Sequence, residues 1–391
     1  MNLGLLFFFK YYNFFIENTI ELLNHFHLRS NLQLLNIVQP IGISFFTFQT
    51  IGYNIDVYKG KIKPTKNLIV FLNFTSFFPQ VFAGPIERGS KFIPQLLQKR
   101  VFDYQQATDG LRQIAYGLFK KMVIADLLSY RVGNIFLNYE SFSSTELFLG
   151  AAYFYIQIYC DFSGYSDIAI GTAKLFGITL STNFKTPFFG KTSQEVWSRW
   201  NITLTTWFRD YVYMPLLFRH KNSMLWRIFC TIFLFVLIGF WHGANFTFLV
   251  FGLLNGIYFI PHIISKKSIV LRSALDYLKH NNFFSVVSVA FLFVLGSVTT
   301  VFFRSANVKL ALGYLDRLFQ LHFTIPSPYY IKLLPLIILF LTWEWVQRNK
   351  DYQFAISKYA PILKPALYYI LLFGILIFGK FVDTTFIYFR F

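Results

Sequence analysis

His242 sits in "LIGFWHGANFTF", residues 237–248, inside a stretch that carries no charged residue from Ile228 to Ser265. If that stretch is helical, His242 lies 15 residues past Arg227, which is about 22 Å along the axis, deep and past the midplane of a bilayer. A neutral imidazole is the form that is cheaper to hold in apolar surroundings, and it can accept a hydroxyl proton as a general base. Gly243 and Ala244 clear space beside it and Trp241 can wall a cavity; the plainer alternative is a packed histidine bonded to a neighbouring helix. A base needs a neighbour to orient it or its substrate, and Asn201 in "SRWNITL" is the best polar candidate, because an amide donates and accepts without carrying charge. Read alone, Asn201 is an ordinary helix-surface asparagine. The other histidines are weaker: His25, His27, His220, His280 and His322 fall in predicted loops or at span ends, and His262 follows Pro261 near an interface. No metal site is expected, since there is no HExxH pattern and neither Cys160 nor Cys230 pairs with a histidine. A GxSxG elbow and a Walker loop are also missing.

The elements that must position these residues follow from composition. Of 391 residues, 55% are hydrophobic and only 14% charged, against about 25% charged in a soluble domain. Several continuous apolar windows reach the roughly 20 residues that a helix needs to cross the hydrocarbon core, and the alternating ten-residue segments of a membrane barrel are not seen. The fold class is therefore all-α: a polytopic transmembrane helical bundle. Two cysteines in apolar context argue against a disulfide framework. Met1 opens directly on an apolar run, without the basic region and small-residue cleavage site of a signal peptide. The net charge of +18 fits basic loops held against anionic membrane lipid. Nucleic-acid binding is not expected, because no basic patch is attached to a soluble domain.

Apolar spans read as 1–16, 34–54, 67–86, 122–137, 146–178, 228–245, 246–265, 283–303, 329–346 and 365–382. Between them, 59–66 carries Lys59, Lys61, Lys63 and Lys66, and the segments 87–121 and 185–227 carry seven Lys/Arg each. Lys266, Lys267, Arg272 and Lys279 follow, then Arg348, Lys350, Lys358 and Lys364. The positive-inside rule puts all five segments in the cytoplasm. Residues 67–86 then begin and end on one side and should be re-entrant, with Pro79, Gly84 and Pro85 turning the chain inside the protein. Residues 146–178 are too long for one helix and hold Asp161 and Asp167, which should face the interior or a wet cavity. Gly164 and Gly171 would let helices approach closely, and Gly252 and Gly256 form a GxxxG that reads as packing. Residues 185–227, amphipathic and rich in Trp, Arg and Tyr, read as helix at the cytoplasmic interface. With no internal repeat or linker, one membrane domain over 1–391 is the simplest organisation.

A set of longer motifs runs almost end to end: "QPIGISFFTFQTIGYNIDVYKG" (39–60), "FFPQVFAGPIERGSKFIPQL" (77–96), "GLFKKMVIAD" (117–126), "YCDFSGYSDIAIGTAKLFGI" (159–178), "NFKTPFFGKTSQEVWSRWNITLTTWFRDYVYMPL" (183–216), "IGFWHGANFTFLVFGLLNG" (238–256), "VFFRSANVKLALGYL" (301–315) and the ending "FIYFRF". By these the chain resembles the membrane-bound O-acyltransferase (MBOAT) family, and within it the branch of bacterial alginate and peptidoglycan O-acetylation membrane proteins. The resemblance implies a helical bundle around a central funnel or tunnel, acyl transfer to a hydroxyl, a catalytic histidine that falls on His242, and a secreted or periplasmic acetyltransferase-type partner that modifies a polysaccharide. It places the protein in the cell (inner) membrane as a multi-pass protein. Two departures stand out. The branch usually carries a histidine where this chain has Asn201, and its members usually carry one or two more helices before the part matching "NLGLLFFFKYYNFF".

These readings converge on an O-acyltransferase that draws an acyl group, most simply acetyl, from a cytoplasmic thioester such as acetyl-CoA, with no bound cofactor. His242 is general base or acyl carrier, and Asn201 holds the donor or the developing oxyanion. Trp200, Trp241, Gly243, Asp161, Arg199, Arg209 and Asp210 are candidates for the substrate path: Arg199 to attract donor phosphates, Arg209 and Asp210 to shape the cytoplasmic mouth. Three alternatives stay open: D-alanyl-type transfer from a carrier protein, a non-catalytic scaffold, and a transporter using Asp161, Asp167 and His242 as a proton or solute path.

Overall fold

The computed structural model describes residues 2–266, 268, 272–273, 277, 281–350, 352, 354–356, 363–381 and 386–387. His280, Lys267, Lys279 and Lys358 lie outside the described residues, as does the ending "FIYFRF" apart from Phe386 and Ile387. Among the described residues every regular element is helical. Four helices are long and apolar enough to cross a membrane: Met224–His242, Phe246–Ser265, Asn282–Arg304 and Pro328–Gln347. A shorter apolar helix runs over Leu363–Phe378. The chain is thus a multi-pass helical membrane protein.

At the centre lies one helix of 32 residues, Ser144–Leu175. The expectation that residues 146–178 are too long for a single helix is corrected here. Its start is fixed by a capping box: Ser143 N–H donates to Glu146 Oε2 at 3.2 Å, and Glu146 N–H donates to Ser143 Oγ at 3.4 Å. Its two buried aspartates do not break it, because cations answer both. Lys121 Nζ is 2.7 Å from Asp161 Oδ1, and Lys120 Nζ is 2.5 Å from Asp167 Oδ2. Those lysines come from a partner helix that the sequence reading treated largely as a cytoplasmic loop. Residues 104–137 are helical throughout, Tyr104–Leu118 passing through a π-helical turn at Phe119–Ala125 into Asp126–Leu137. Asp103 caps that helix, accepting from the N–H groups of Gln105 and Gln106. Lys120 and Lys121 are therefore interior charges, not loop charges. The two helices run antiparallel, with Gly117 against Gly164 and Gly110 against Gly171; a Cβ on Gly117 would meet Gly164 O at 2.6 Å. Only glycine permits that approach.

Three other segments are shaped by breaks in the helical backbone. Residues 34–42 are not helical, and the helix there is Ile43–Tyr58. Pro40 and Gly42 (φ +75°) turn the chain first, and a side chain on Gly42 would strike the Val81 backbone. Residues 67–86 hold a nine-residue helix, Leu68–Ser76, which rises only about 14 Å, followed by irregular backbone up to Arg88. Residues 185–227, read as helix at the cytoplasmic interface, form a broken helical series that includes Ser193–Arg199, Ile202–Phe208, Arg209–Tyr213 and Met214–Leu217. They are folded inward on Trp197, Trp200 and Trp207, all buried.

Candidate active site

His242 is the last residue of the helix Met224–His242, which Ser223 caps at its other end by accepting from Trp226 N–H. The chain then turns at once. Gly243 is extended, Asn245 N–H donates to Gly243 O at 3.0 Å, and Asn245 Oδ1 caps the next helix by accepting from Thr247 N–H. The two helices of this hairpin pack backbone to backbone at Gly239 and Gly252, where any Cβ would collide with the opposing chain. The GxxxG reading as packing therefore agrees with the geometry. Gly243 plays the same part for the turn: the Phe248 ring occupies the place a side chain would take.

The imidazole is buried and ringed by aromatics. Its centroid is 5.0 Å from Phe303, 4.9 Å from Trp241 and 6.1 Å from Phe251, each edge-on. Two cavities meet it. One, of about 150 Å³, is lined by Lys10, the 39–45 segment, Phe82, Trp241 and His242. The other, of about 50 Å³, is lined by His242 together with Tyr155, Trp197, Trp200, Asn255, Thr300 and Phe303, among others. Trp241 stands in the first wall, stacked on Phe48, and Trp200 in the second, stacked on Tyr155.

Asn201 lies beside Trp200 in the chain but lines neither cavity. It is 1% exposed, sits at φ +42°, and neither Oδ1 nor Nδ2 has a hydrogen-bond partner. The structure thus does not hydrogen-bond Asn201 to His242. What it does show is a buried amide held without satisfaction, a state that costs about 1–3 kcal/mol. The backbone around it is pinned. Asn183 O accepts from Ile202 N–H at 2.9 Å, Asn183 Oδ1 accepts from the Thr203 hydroxyl at 2.9 Å, and Thr203 Oγ1 accepts from Ile86 N–H at 2.9 Å.

The remaining candidates scatter. Asp161 is tied to Lys121 and to Ile387 N–H, and it lines neither cavity. Arg199 is partly buried and its carbonyl accepts from Lys185 N–H. Arg209 pairs with Asp210 at 2.8 Å, and Asp210 also takes Arg88 at 3.2 Å, in a half-exposed group beside Tyr211 and Asp56. Sequence reasoning passed over Lys10 and Tyr11, whose side chains donate to the last carbonyls of the histidine helix. Lys10 carried a signal, as the lone charge in an apolar run.

The sequence model of the family described as "MBOAT, membrane-bound O-acyltransferase family" matches residues 62–305, which include Asn201, His242 and both walls of the smaller cavity. The chain belongs to the membrane-bound O-acyltransferase family. Among its relatives, a "Probable alginate O-acetylase AlgI" of Pseudomonas putida is 35% identical over 80% of this chain and 61% of its own length. A "Peptidoglycan O-acetyltransferase" of Helicobacter pylori is 34% identical over 80% of this chain and 62% of its own. A "Teichoic acid D-alanyltransferase" of Bacillus subtilis is 28% identical over 57% of this chain and 58% of its own. The alignments thus span about three fifths of the length of these relatives.

Proposed function

We propose that this chain is an O-acyltransferase of the cell (inner) membrane that moves an acyl group, most simply acetyl, from a cytoplasmic thioester to a hydroxyl on the far side. The observation that carries the reading is that His242 stands on the wall of two cavities at once. A residue with a cavity on either hand can take one substrate from each face. The positively charged flank at Arg227 puts the start of the histidine helix in the cytoplasm. The cavity beside Trp197 and Trp200 is then the donor side, and the cavity beside Lys10 and Trp241 the acceptor side. The re-entrant placement of residues 67–86, which contribute Phe82 to the acceptor cavity, belongs to this picture.

In the reaction a ring nitrogen of His242 removes the acceptor hydroxyl's proton as the oxygen attacks the thioester carbonyl. The tetrahedral intermediate carries the negative charge on the former carbonyl oxygen. Its collapse breaks the carbon–sulfur bond, and the imidazolium returns its proton to the leaving thiolate. Asn201, with both amide atoms unpartnered, would turn toward the donor or the oxyanion when substrate binds. Acetyl-CoA is the simplest donor. The relatives' names carry alginate, peptidoglycan and teichoic acid; surface polymers of that kind are our candidates for the final acceptor, and a secreted or periplasmic acetyltransferase-type partner, whose hydroxyl takes the acyl group first, is our candidate for the relay. The D-alanyl name among them keeps an aminoacyl donor on a carrier protein as the variant to compare.

The test is the base-labile ester content of cell-surface polysaccharide and peptidoglycan in the wild type, a deletion strain and the complemented deletion. Loss in the deletion, restored on complementation, supports the reading, and the depleted fraction names the acceptor. Unchanged esters in every fraction would sink it.

A further inference from the structure

The histidine helix ends without the usual backbone cap: Gly243 is extended and no left-handed residue closes the last turn. Its terminal carbonyls are answered from the other end of the chain. Lys10 Nζ donates to Trp241 O at 2.7 Å and to His242 O at 3.0 Å, and Tyr11 Oη donates to Phe240 O at 3.2 Å. Both donors sit on one π-helical turn, Phe7–Tyr11. The wider turn lets two successive side chains reach three successive carbonyls. The ring of Tyr11 stacks on Phe240 at 4.4 Å, and the Lys10 ammonium lies 5.8 Å from the Trp241 centroid. A cation at a helix C-terminus also meets the negative end of the helix dipole. Lys10 lines the acceptor-side cavity together with His242.

Resting on the reading of His242 as base, we propose that Lys10 is a positioning residue for the reaction, fixing the terminal turn that aims the imidazole between the two cavities. Even a partly buried lysine is a costly way to cap a helix. Tyr11 shows that a neutral hydroxyl can serve one of these carbonyls. Lys10 serves the two residues that wall the cavity, and it bridges them with one group. Displacing a catalytic group by about 1 Å can cost 10²-fold in rate, so the turn's fixation should appear in turnover and leave donor affinity unchanged.

The experiment measures transfer of label from radiolabelled acetyl-CoA to base-labile ester in membrane vesicles, as a function of acetyl-CoA concentration. It compares wild type, His242→Ala, Lys10→Met, Lys10→Gln and Lys10→Arg at equal membrane levels. Expected are a silent His242→Ala, a kcat for Lys10→Met lower by about 10- to 100-fold with KM within about twofold, and substantial recovery in Lys10→Arg, which still presents a cationic donor. Lys10→Gln, too short to bridge both carbonyls, covers the case in which Lys10→Met does not accumulate, and it should lose kcat likewise. Wild-type kcat in either Lys10→Met or Lys10→Gln, or a change confined to KM, overturns the inference while a silent His242→Ala leaves the base reading standing. An active His242→Ala overturns the base reading and this inference with it.

Discussion

Two of the buried polar regions of this molecule are built on opposite rules. In the seam between the helices at 104–137 and Ser144–Leu175, charges are matched by charges. Lys120 meets Asp167 and Ser163, Lys121 meets Asp161 and Asp126, and Glu344 accepts from the hydroxyls of Tyr116 and Tyr159 at 3.0 and 2.6 Å. Around His242 the walls are aromatic and the nearby lysine donates to backbone carbonyls, while Asn201, which lines neither cavity, is buried with both amide atoms unpartnered. A matched network specifies how helices pack. An unmatched buried amide is a structural cost that a new partner can offset. On the proposed reading the chemistry lies at His242, although the seam holds more ionisable groups. It also bears on the transporter alternative, since Asp161 and Asp167 face Lys121 and Lys120 and line neither cavity at His242.

The largest expected effect comes from breaking the seam. Lys120→Met strands Asp167 in the interior and should cost about 3–5 kcal/mol, read as loss of folded protein in membranes and of melting temperature. Lys120→Met with Asp167→Asn should recover much of that, as a double-mutant cycle would report. If the single substitution is silent, the seam is not the structural element described here.

Next is Asn201→Ala, which the contrast predicts to affect rate and leave stability alone. Turnover should fall about 10²- to 10³-fold if the amide supports the oxyanion, while thermal stability changes little, because removal of the unsatisfied group is offset by the strain of alanine at φ +42°. A loss of stability with normal turnover per folded molecule would reclassify Asn201 as structural.

Gly117→Ala sharpens the packing side of the comparison. A methyl there meets Gly164 O at 2.6 Å, and overpacking of this kind costs about 1–3 kcal/mol. The effect should appear in stability, with kcat per folded molecule unchanged.

The smallest effect belongs to the half-exposed group at Arg209 and Asp210. Arg209→Ala removes a solvent-screened pair worth about 0–1 kcal/mol, and acyl transfer should stay within about twofold of wild type. A large loss would return Arg209 to the substrate path.

The centre of the proposed site was legible because a histidine in an uncharged stretch is conspicuous, and the glycine pairs were legible because helix contact in lipid favours small residues. The helix from Tyr104 onward was hidden by its own charges. Lys120 and Lys121 count as loop residues under a rule that weighs charge alone, and only the tertiary partners Asp167 and Asp161 show that they are inside. The 34–42 stretch was hidden the other way: its apolar residues suggested a span, while Pro40 and Gly42 decide its backbone. Lys10 could be flagged as an odd charge, but its meaning depends on a contact 231 residues away, which no local pattern encodes.

The central claim is that His242 does chemistry rather than packing. The most direct measurement is the base-labile ester content of the envelope in a deletion strain expressing His242→Ala at the wild-type membrane level. The account predicts ester at the level of the uncomplemented deletion with the protein folded and present. Full restoration by His242→Ala would make His242 a packing residue in an aromatic box and contradict the mechanism.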